Sequence, residues 1–379
     1  MNDSYVETTT EGWGGRIVNS IKGLIFGLIL ILGSIILLGW NEGRSVHTAT
    51  ALNEGEKETV AAPLDTVSPA NEGKLVYLSG AAATTETLTD PTFGVALNGL
   101  QLRREVQMYQ WKETKSENSQ KNLGGSKTTT TTYDYAKVWS NSVIDSNNFK
   151  QRDGHQNPGA IPYPSQSWVA QDAKIGSYHL SPNLLSKLGG ETPVPATANA
   201  PIASVKLFNG GFYGGTDPQN PQVGDVTIKF FGISPETVSV VAEQTGQNLA
   251  PHTSSNGVTV ALIEPGVHTE EDLYNTARSH NSMLTWILRG VGFLLALFGF
   301  MILMAPLSII GDVVPFIGSI IGAGTGLLSF LLAIVLSTVT IAVAWIAYRP
   351  AAAIALFVIA GGAFLLLVSR RKKRAVATT

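Results

Sequence analysis

Histidines are the side chains of this sequence best suited to acid–base or metal chemistry at neutral pH. The six lie at positions 47, 155, 179, 252, 268 and 280. None stands in an HExxH or HxxxH arrangement, the spacing that places two metal ligands on one face of a helix. His268 precedes acidic residues at 270–272, which could chelate a metal. A solvated, acidic start of a helix explains the same residues, and we favour that interpretation.

Two further stretches could do chemistry, one around His155 and one rich in glycine. His155 lies close to Asp153, and the Asn-Pro-Gly at 157–159 favours a turn, so both a polar site and a structural loop remain open. The stretch Gly322-Ala-Gly-Thr-Gly326 superficially resembles a phosphate-binding loop, but it lies in an apolar block without a following lysine. Close helix packing at Gly322, Gly324 and Gly326 is the better interpretation. The sequence therefore predicts no catalytic, cofactor or metal site.

Composition narrows the class of protein further. The 379 residues carry 26 Lys and Arg against 28 Asp and Glu, a formal net charge of −2, which argues against a nucleic-acid binder. The absence of cysteine excludes disulfides, thiolate catalysis and Cys-ligated zinc or iron–sulfur sites. Only 14% of residues are charged, and long uncharged runs occur near both ends. These features indicate a membrane protein.

The uncharged runs predict four membrane spans. Gly23 to Trp40 covers 18 residues, roughly 27 Å of helix, and defines a first span at 21–40. Gly290 to Gly311 and Pro350 to Ser369 define two more within 283–369. Between them lie 36 uncharged residues, which we interpret as a re-entrant or interfacial piece at 313–321 followed by a span at 325–348. A fifth span is the alternative.

The distribution of positive charge predicts the orientation. The densest basic cluster follows the last span and should also attract anionic lipid; it consists of Arg370, Arg371, Lys372, Lys373 and Arg374. We therefore expect residues 1–20 and 370–379 to be cytoplasmic, and residues 41–282 to form one extracytoplasmic domain.

That domain should be mainly antiparallel β structure of roughly 8–12 strands, giving an α+β membrane protein. Alternating apolar residues run from Leu100 to Met108, where Arg104 interrupts the apolar face, and aromatic residues alternate at 131–139. The polar stretch 114–127 between them predicts a mobile hairpin loop. Thr269-Glu-Glu-Asp272 has the form of a capping box, so a helix should begin there and lead into the second span.

Four stretches of the chain stand out as motifs: Trp40-Asn41-Glu42-Gly43-Arg44, Glu72-Gly-Lys-Leu-Val-Tyr-Leu-Ser-Gly80, Leu102-Arg-Arg-Glu-Val-Gln-Met108-Tyr109-Gln110-Trp111 and His155-Gln156-Asn157-Pro158. In these stretches the chain resembles the LUMA (transmembrane protein 43) family. The order of one span, a large domain and three spans is also similar. The resemblance implies an oligomeric organiser of membrane protein complexes, of the endoplasmic reticulum and inner nuclear membrane in animals, without catalytic residues to carry over.

For a bacterial chain, the resemblance implies an inner-membrane protein with a periplasmic domain, to which only architecture and a scaffold-like role transfer. The polar motif at 41–44 should then anchor the domain to the bilayer. We expect a non-enzymatic homo-oligomer that contacts lipid and other membrane proteins, with no cofactor and no nucleic acid. Two alternatives remain: a lipid- or ligand-handling enzyme or binder that uses His155 and Asp153, and a channel formed by the oligomerised spans.

Overall fold

The computed structural model describes residues 3–197, 202–348 and 350 of the chain. These residues contain four α-helices: α1 Trp13–Glu58, α2 Pro182–Leu185, α3 Glu270–Gly311 and α4 Pro315–Tyr348. The strands are β1 Ser4–Glu11, β2 Val60–Ala61, β3 Leu75–Ala83, β4 Thr87–Thr89, β5 Ala96–Asn98, β6 Gln101–Lys121, β7 Lys127–Ser140, β8 Gln166–Val169, β9 Lys174–Ile175, β10 Tyr178–Leu180, β11 Thr192–Pro193, β12 Lys206–Phe208, β13 Gly211–Gly214, β14 Val226–Ile233, β15 Glu236–Thr245, β16 Asn248–Ala250, β17 His252–Thr253, β18 Thr259–Val260 and β19 Leu262–Pro265.

The chain divides into two compact units. The first, called the β unit below, contains the residues up to Thr8 together with Ala51–Asn118 and Thr129–Ala277. The second, called the helical unit, contains Thr9–Thr50, Ser119–Thr128 and the described residues from Arg278 onward. The division falls within β1, α1, β6, β7 and α3, so each unit holds part of these elements.

The β unit contains one large sheet and one small barrel. The eight-stranded sheet has the order β1-β7-β6-β14-β13-β12, with β11 paired to β14 and β8 paired to β6. In the other sheet β15, β16, β10, β9 and β3 pair in turn, and β3 pairs back with β15, which closes a ring of five strands. Closure leaves no open edge within the ring. The expected mainly antiparallel β structure is thus present, with β2–β3 and β10–β16 as parallel pairs among the described strands.

One contiguous hydrophobic core joins the sheet and the barrel. Val106 and Phe230 come from the large sheet, whereas Leu78, Val240 and Leu249 come from the barrel, and all five are buried in one cluster. The alternation in β6 places every second side chain from residue 102 to residue 110 in the interior. The sequence periodicity therefore predicted the buried face of this strand correctly.

The connection between β6 and β7 differs from its prediction. Residues 114–127 were expected to form a mobile loop, but β6 continues to Lys121 and only 122–126 form the turn. The extension carries Lys, Glu, Ser and Asn rather than alternating apolar residues. Its backbone pairing therefore left no periodic signal in the sequence.

Within the described part of the chain, three helices are long and apolar enough to cross a membrane: α1, α3 and α4. The capping box at the start of α3 is confirmed, since the Asp272 backbone N–H donates to Thr269 Oγ1 at 3.1 Å and Thr269 N–H donates to the Asp272 carboxylate at 3.0 Å. The helix then runs unbroken to Gly311 and continues past Pro306. The predicted fourth span at 350–369 and the basic tail at 370–374 lie outside the described residues, apart from Pro350.

The segment predicted to be re-entrant is not separate from the span that follows it. Pro315–Tyr348 forms one continuous helix of 34 residues, so Phe316–Ile321 is its first part. Pro315 occupies the first position, where a helix does not need its missing N–H. The glycines that suggested a break at 318–326 carry helical backbone throughout.

Small residues bring α1 and α3 into close contact. A Cβ atom at Gly27 would lie 2.9 Å from Gly299 O, and one at Gly299 would lie 2.9 Å from Gly27 O. Further along the same pair of helices, Ser34 Oγ donates to Gly292 O at 2.7 Å. The two backbones thus approach to a distance that only glycine permits, as expected for packed helices in a membrane.

Candidate functional site

The motif after the first span forms a buried polar cluster in the helical unit. Glu42 is fully buried and accepts two hydrogen bonds from Arg289, at 2.6 and 2.9 Å. Trp345 Nε1 donates to the same carboxylate at 2.8 Å. One carboxylate therefore ties α1 to both α3 and α4. A buried charge is stable only with such partners, because desolvation costs several kcal/mol per ion.

The neighbours of Glu42 extend the same cluster. Asn41 Nδ2 donates to Thr285 O at 3.1 Å, and the Arg44 guanidinium donates to Asn281 Oδ1 and Thr285 Oγ1, both at 2.9 Å. Gly43 leaves room for the ring of Tyr348, since a Cβ atom at this position would lie 2.8 Å from that ring. All four motif residues thus serve contacts among the helices of this unit.

A second charged cluster lies at the other end of the same helices. Asp312, between α3 and α4, accepts from Arg16 Nη2 at 2.5 Å and from Lys121 Nζ at 2.6 Å. Arg16 Nη1 also donates to Gly125 O at 2.6 Å. Burial disfavours the charged carboxylate, but the hydrogen bonds from Lys121 and Arg16 outweigh burial and hold the pKa of Asp312 below its usual value.

The two clusters bracket an apolar stretch of bilayer thickness. Arg16 and Asn41 are separated by about 37 Å along α1, and Lys22 is the one charged residue between them. Residues 290–311 of α3 carry no charge. A hydrocarbon core is about 30 Å thick, so each cluster falls near one boundary of it.

In the β unit, the two motifs at 108–111 and 155–158 meet each other. Asn157 Oδ1 accepts from Trp111 N–H at 2.7 Å, and its Nδ2 donates to Trp111 O at 2.9 Å. Gln110 accepts from Ile144 N–H at 2.8 Å. Asn157 therefore pairs with the edge of β6 as a strand would, and holds the following loop against it. The sequence pointed to both motifs but not to this contact.

The remaining residues of these motifs pack around the same loop. Met108 is buried in the core, and the Tyr109 ring lies 5.0 Å from the Trp139 ring between centroids. Pro158 contacts Gly224, where a Cβ atom would lie 3.3 Å from its ring. Gln156 lines a cavity of about 330 Å³ together with Asn157 and Arg152.

His155 is buried between aromatic rings. It stacks on Tyr135 at 3.9 Å and meets the edge of Trp111 at 4.7 Å between ring centroids. Nε2 lies 2.8 Å from a carboxylate oxygen of Asp3, and Nδ1 lies 3.0 Å from Gln151 O. Both ring nitrogens are thus engaged, which favours the structural interpretation over a polar site. The carboxylate beside the ring belongs to Asp3, whereas Asp153, the residue close to His155 in the sequence, is exposed.

Tyr135 completes this aromatic cluster. Its hydroxyl donates to Glu113 Oε2 at 2.7 Å and accepts from Gln151 N–H at 2.8 Å. Burial, followed by the hydrogen bond to the Glu113 carboxylate, raises the pKa of Tyr135 to about 12.

These contacts also bear on the predicted orientation. Asp3 and Arg16 were expected on the cytoplasmic side, and His155 and Lys121 on the other side. The structure places Asp3 against His155 and brings both Arg16 and Lys121 to Asp312. Both contacts join residues that the sequence places on opposite sides of the membrane, and the orientation itself stays a prediction. The positive-inside rule could not reveal these contacts, because they depend on the pairing of β1 with β7.

The sequence marks Arg104 as an interruption of an apolar face but not what holds it. Its guanidinium is buried and donates to the buried carboxylate of Asp90 at 2.7 Å and to Pro164 O at 3.0 Å. It also lies over the rings of Phe93 and Trp168, at 5.3 and 5.6 Å from their centroids. The apolar face of β6 is therefore interrupted by a paired charge.

The other predicted positions are not brought into one site. His268 Nε2 lies 2.9 Å from Pro265 O, and Asp272 caps the helix, as a solvated helix start requires. Among the described residues, no group of three or more His, Asp or Glu could hold a metal. Gly322 faces Ser308, whereas a Cβ atom at Gly324 or Gly326 would meet nothing within 4 Å.

Long apolar helices bracketed by buried charged clusters, together with a β-rich unit, define an α+β multi-pass membrane protein. The family model described as transmembrane protein 43 matches residues 108–350. Mouse transmembrane protein 43 is 33% identical over 361 residues, covering 91% of this chain and 90% of the relative. The human protein is 32% identical with 97% and 94% covered, and the Drosophila homolog 34% identical with 86% and 89% covered. No solved structure matches. The chain belongs to the transmembrane protein 43 family, which confirms the resemblance inferred from its motifs.

Proposed function

We propose that this protein is a non-enzymatic, homo-oligomeric scaffold that organises a membrane assembly through its β-rich domain and its helices. The observation that carries the proposal is that the polar motif residues form hydrogen bonds within the chain. Glu42, Gln110, His155 and Asn157 direct their polar groups to partners within the chain, and so do both terminal nitrogens of Arg44. Side chains committed to internal bonds build a rigid platform, whereas a reaction centre needs polar groups that face a substrate.

Open small residues on the helices support self-association. A Cβ atom at Gly33, Gly39 or Gly290 would meet nothing within 4 Å, although all three lie in apolar helical segments. An open glycine lets a second helix approach closely, and the resulting close packing favours helix association in lipid. The face carrying Gly290 on α3 is therefore the proposed contact between copies.

The test is the particle mass of the full chain extracted with its native lipid. We expect a discrete multiple of the 40.2 kDa chain by mass photometry. Gly290→Leu should lower that multiple, whereas Val291→Leu, an exposed neighbour that is already branched, should not. Monomeric wild-type particles would refute the oligomeric scaffold.

A second candidate function rests on a cavity in the β unit. This open cavity of about 500 Å³ is lined by Pro193, Pro195, Phe231 and the exposed Lys229, among others. Apolar walls with one ammonium group suit an apolar ligand that carries a carboxylate. This candidate replaces the one built on His155, whose ring nitrogens are already bonded.

A fluorescent polyunsaturated fatty acid is a suitable probe for this second candidate. The full chain should bind it saturably, and Lys229→Gln should weaken binding, while Lys206→Gln, an exposed lysine on β12, should leave it unchanged. Equal binding by all three proteins would remove the candidate.

A further inference from the structure

A cavity of about 240 Å³ lies at the Asp312 end of the helical unit. Its charged wall consists of Arg16, Lys121 and Asp312, and Met301 and Ala305 line it further along α3. Thr325 and Ser329 of α4 also line the cavity, and their hydroxyls donate to carbonyl oxygens of their own helix. Its volume corresponds to roughly eight water molecules. It can therefore hold a polar headgroup but not a complete lipid.

The charged wall is unbalanced. Arg16 and Lys121 supply two positive charges, and both bind the one carboxylate of Asp312. An ammonium group has three N–H donors, and the Lys121 side chain keeps a third of its surface exposed while it binds Asp312. A partly buried cluster with one excess positive charge is stabilised by a matching anion.

The polarity of the cavity changes along the helix axis. Met301 and Asp312 are about 16 Å apart along the axis of α3, so the side of the cavity formed by α3 passes from apolar to charged over that length. The charged end coincides with the end of the uncharged stretch 290–311, where the hydrocarbon core meets the headgroups. An occupant must therefore combine an anionic group at this level with an apolar part that extends into the hydrocarbon.

We propose that this cavity binds one anionic phospholipid, with its phosphate at Arg16 and Lys121 and its acyl chains along Met301 and Ala305. The phosphate supplies the missing negative charge and brings the cluster to neutrality. Hydrogen bonds from arginine and lysine to a phosphate are charge-assisted and among the stronger ones in proteins.

Native mass spectrometry of the full chain in a non-ionic detergent tests the proposal with phosphatidylglycerol and phosphatidylcholine as probes. Phosphatidylglycerol should bind as a single retained lipid, and phosphatidylcholine should bind more weakly. Inorganic phosphate should not displace the bound phosphatidylglycerol, because it lacks the chains. Equal retention of both lipids, or displacement by inorganic phosphate, would overturn the proposal.

Two glycines of α4 give a matched pair of variants. A Cβ atom would meet nothing within 4 Å at either Gly326 or Gly324, but only Gly326 lines the cavity. Gly326→Leu should therefore block phosphatidylglycerol binding, and Gly324→Leu should preserve it. Equal binding by the two variants would overturn the assignment.

Charge substitution provides a second test that does not depend on the folding of a helix variant. Lys121→Gln should weaken phosphatidylglycerol binding roughly ten-fold, the effect of losing one hydrogen bond to a charged group. Lys115→Gln on the same strand removes an exposed lysine that pairs with Glu117 and should have no effect. Unchanged binding by Lys121→Gln would contradict the proposal, whatever the particle mass of the protein.

Discussion

The buried pair of Arg104 and Asp90 predicts a large difference between two adjacent arginines of β6. Arg104→Met removes the partner of a carboxylate that is fully buried. Breaking a buried ion pair from one side costs about 3–5 kcal/mol, because the remaining charge is left without compensation. Arg103→Met removes an arginine whose side chain is one-third exposed and pairs with Glu105 and Glu191. Exposed pairs contribute about 0–1 kcal/mol.

Thermal unfolding of the full chain in lipid nanodiscs measures this difference. A change of 1 kcal/mol shifts the melting temperature by about 2–4 °C in a domain of this size, so Arg104→Met should lower it by about 6–20 °C. Arg103→Met should lower it by at most about 4 °C. The fluorescence of Trp168, which lies beside the Arg104 guanidinium, contributes to the signal of the β unit.

The double variant Asp90→Asn with Arg104→Met distinguishes destabilisation by an unpaired charge from destabilisation by lost packing. With both charges removed, no uncompensated ion remains, so stability should recover by about 2 kcal/mol or more relative to Arg104→Met. The amide oxygen of the introduced asparagine would still accept the backbone N–H bonds that Asp90 now receives from Thr92 and Phe93. If Arg104→Met and Arg103→Met melted at the same temperature, the reasoning would be refuted.

Three further predictions concern other parts of the chain. The pKa of Tyr135, about 12, lies above its value near 10 in the unfolded chain, so between these pH values the unfolded state has lost a proton that the folded state keeps. Stability should therefore fall from pH 10 to 12, and fall less in Tyr135→Phe; equal slopes in melting temperature against pH would contradict this. Gly27→Leu should separate α1 from α3 and lower the melting temperature, whereas Gly14→Leu, also on α1 but with open space at its Cβ, should not. Glu42→Gln leaves Arg289 without its carboxylate and should destabilise the protein by about 3–5 kcal/mol, while the exposed Glu58→Gln should melt like the wild type.

Local patterns predicted the elements that depend on neighbouring residues. The alternation at Leu100–Met108 placed β6, the uncharged runs placed the apolar helices, and Thr269–Asp272 marked the start of α3. The fourth predicted span lies outside the described residues. The long polar extension of the β6–β7 hairpin was missed because backbone pairing alone leaves no hydropathy pattern.

Pairing between distant residues could not be predicted in the same way. Arg104 visibly interrupts an apolar face in the sequence, but Asp90 lies 14 positions away and is one of many carboxylates. In the sequence Asp153 is the carboxylate closest to His155, whereas the fold brings Asp3 to it across 152 positions. No periodicity encodes such contacts, because they arise only once strands and helices pack.

The sequence by itself determined that this chain is a membrane protein with a β-rich domain and which family it belongs to. Hydropathy and motif spacing are properties of neighbouring residues, so they are visible in the sequence before the packing is known. Only the tertiary structure decided which charges meet: Glu42 with Arg289, and Asp312 with both Arg16 and Lys121. A charge in an apolar surrounding is stable only beside its partner, so the location of these pairs follows from how the helices pack and not from their order in the chain.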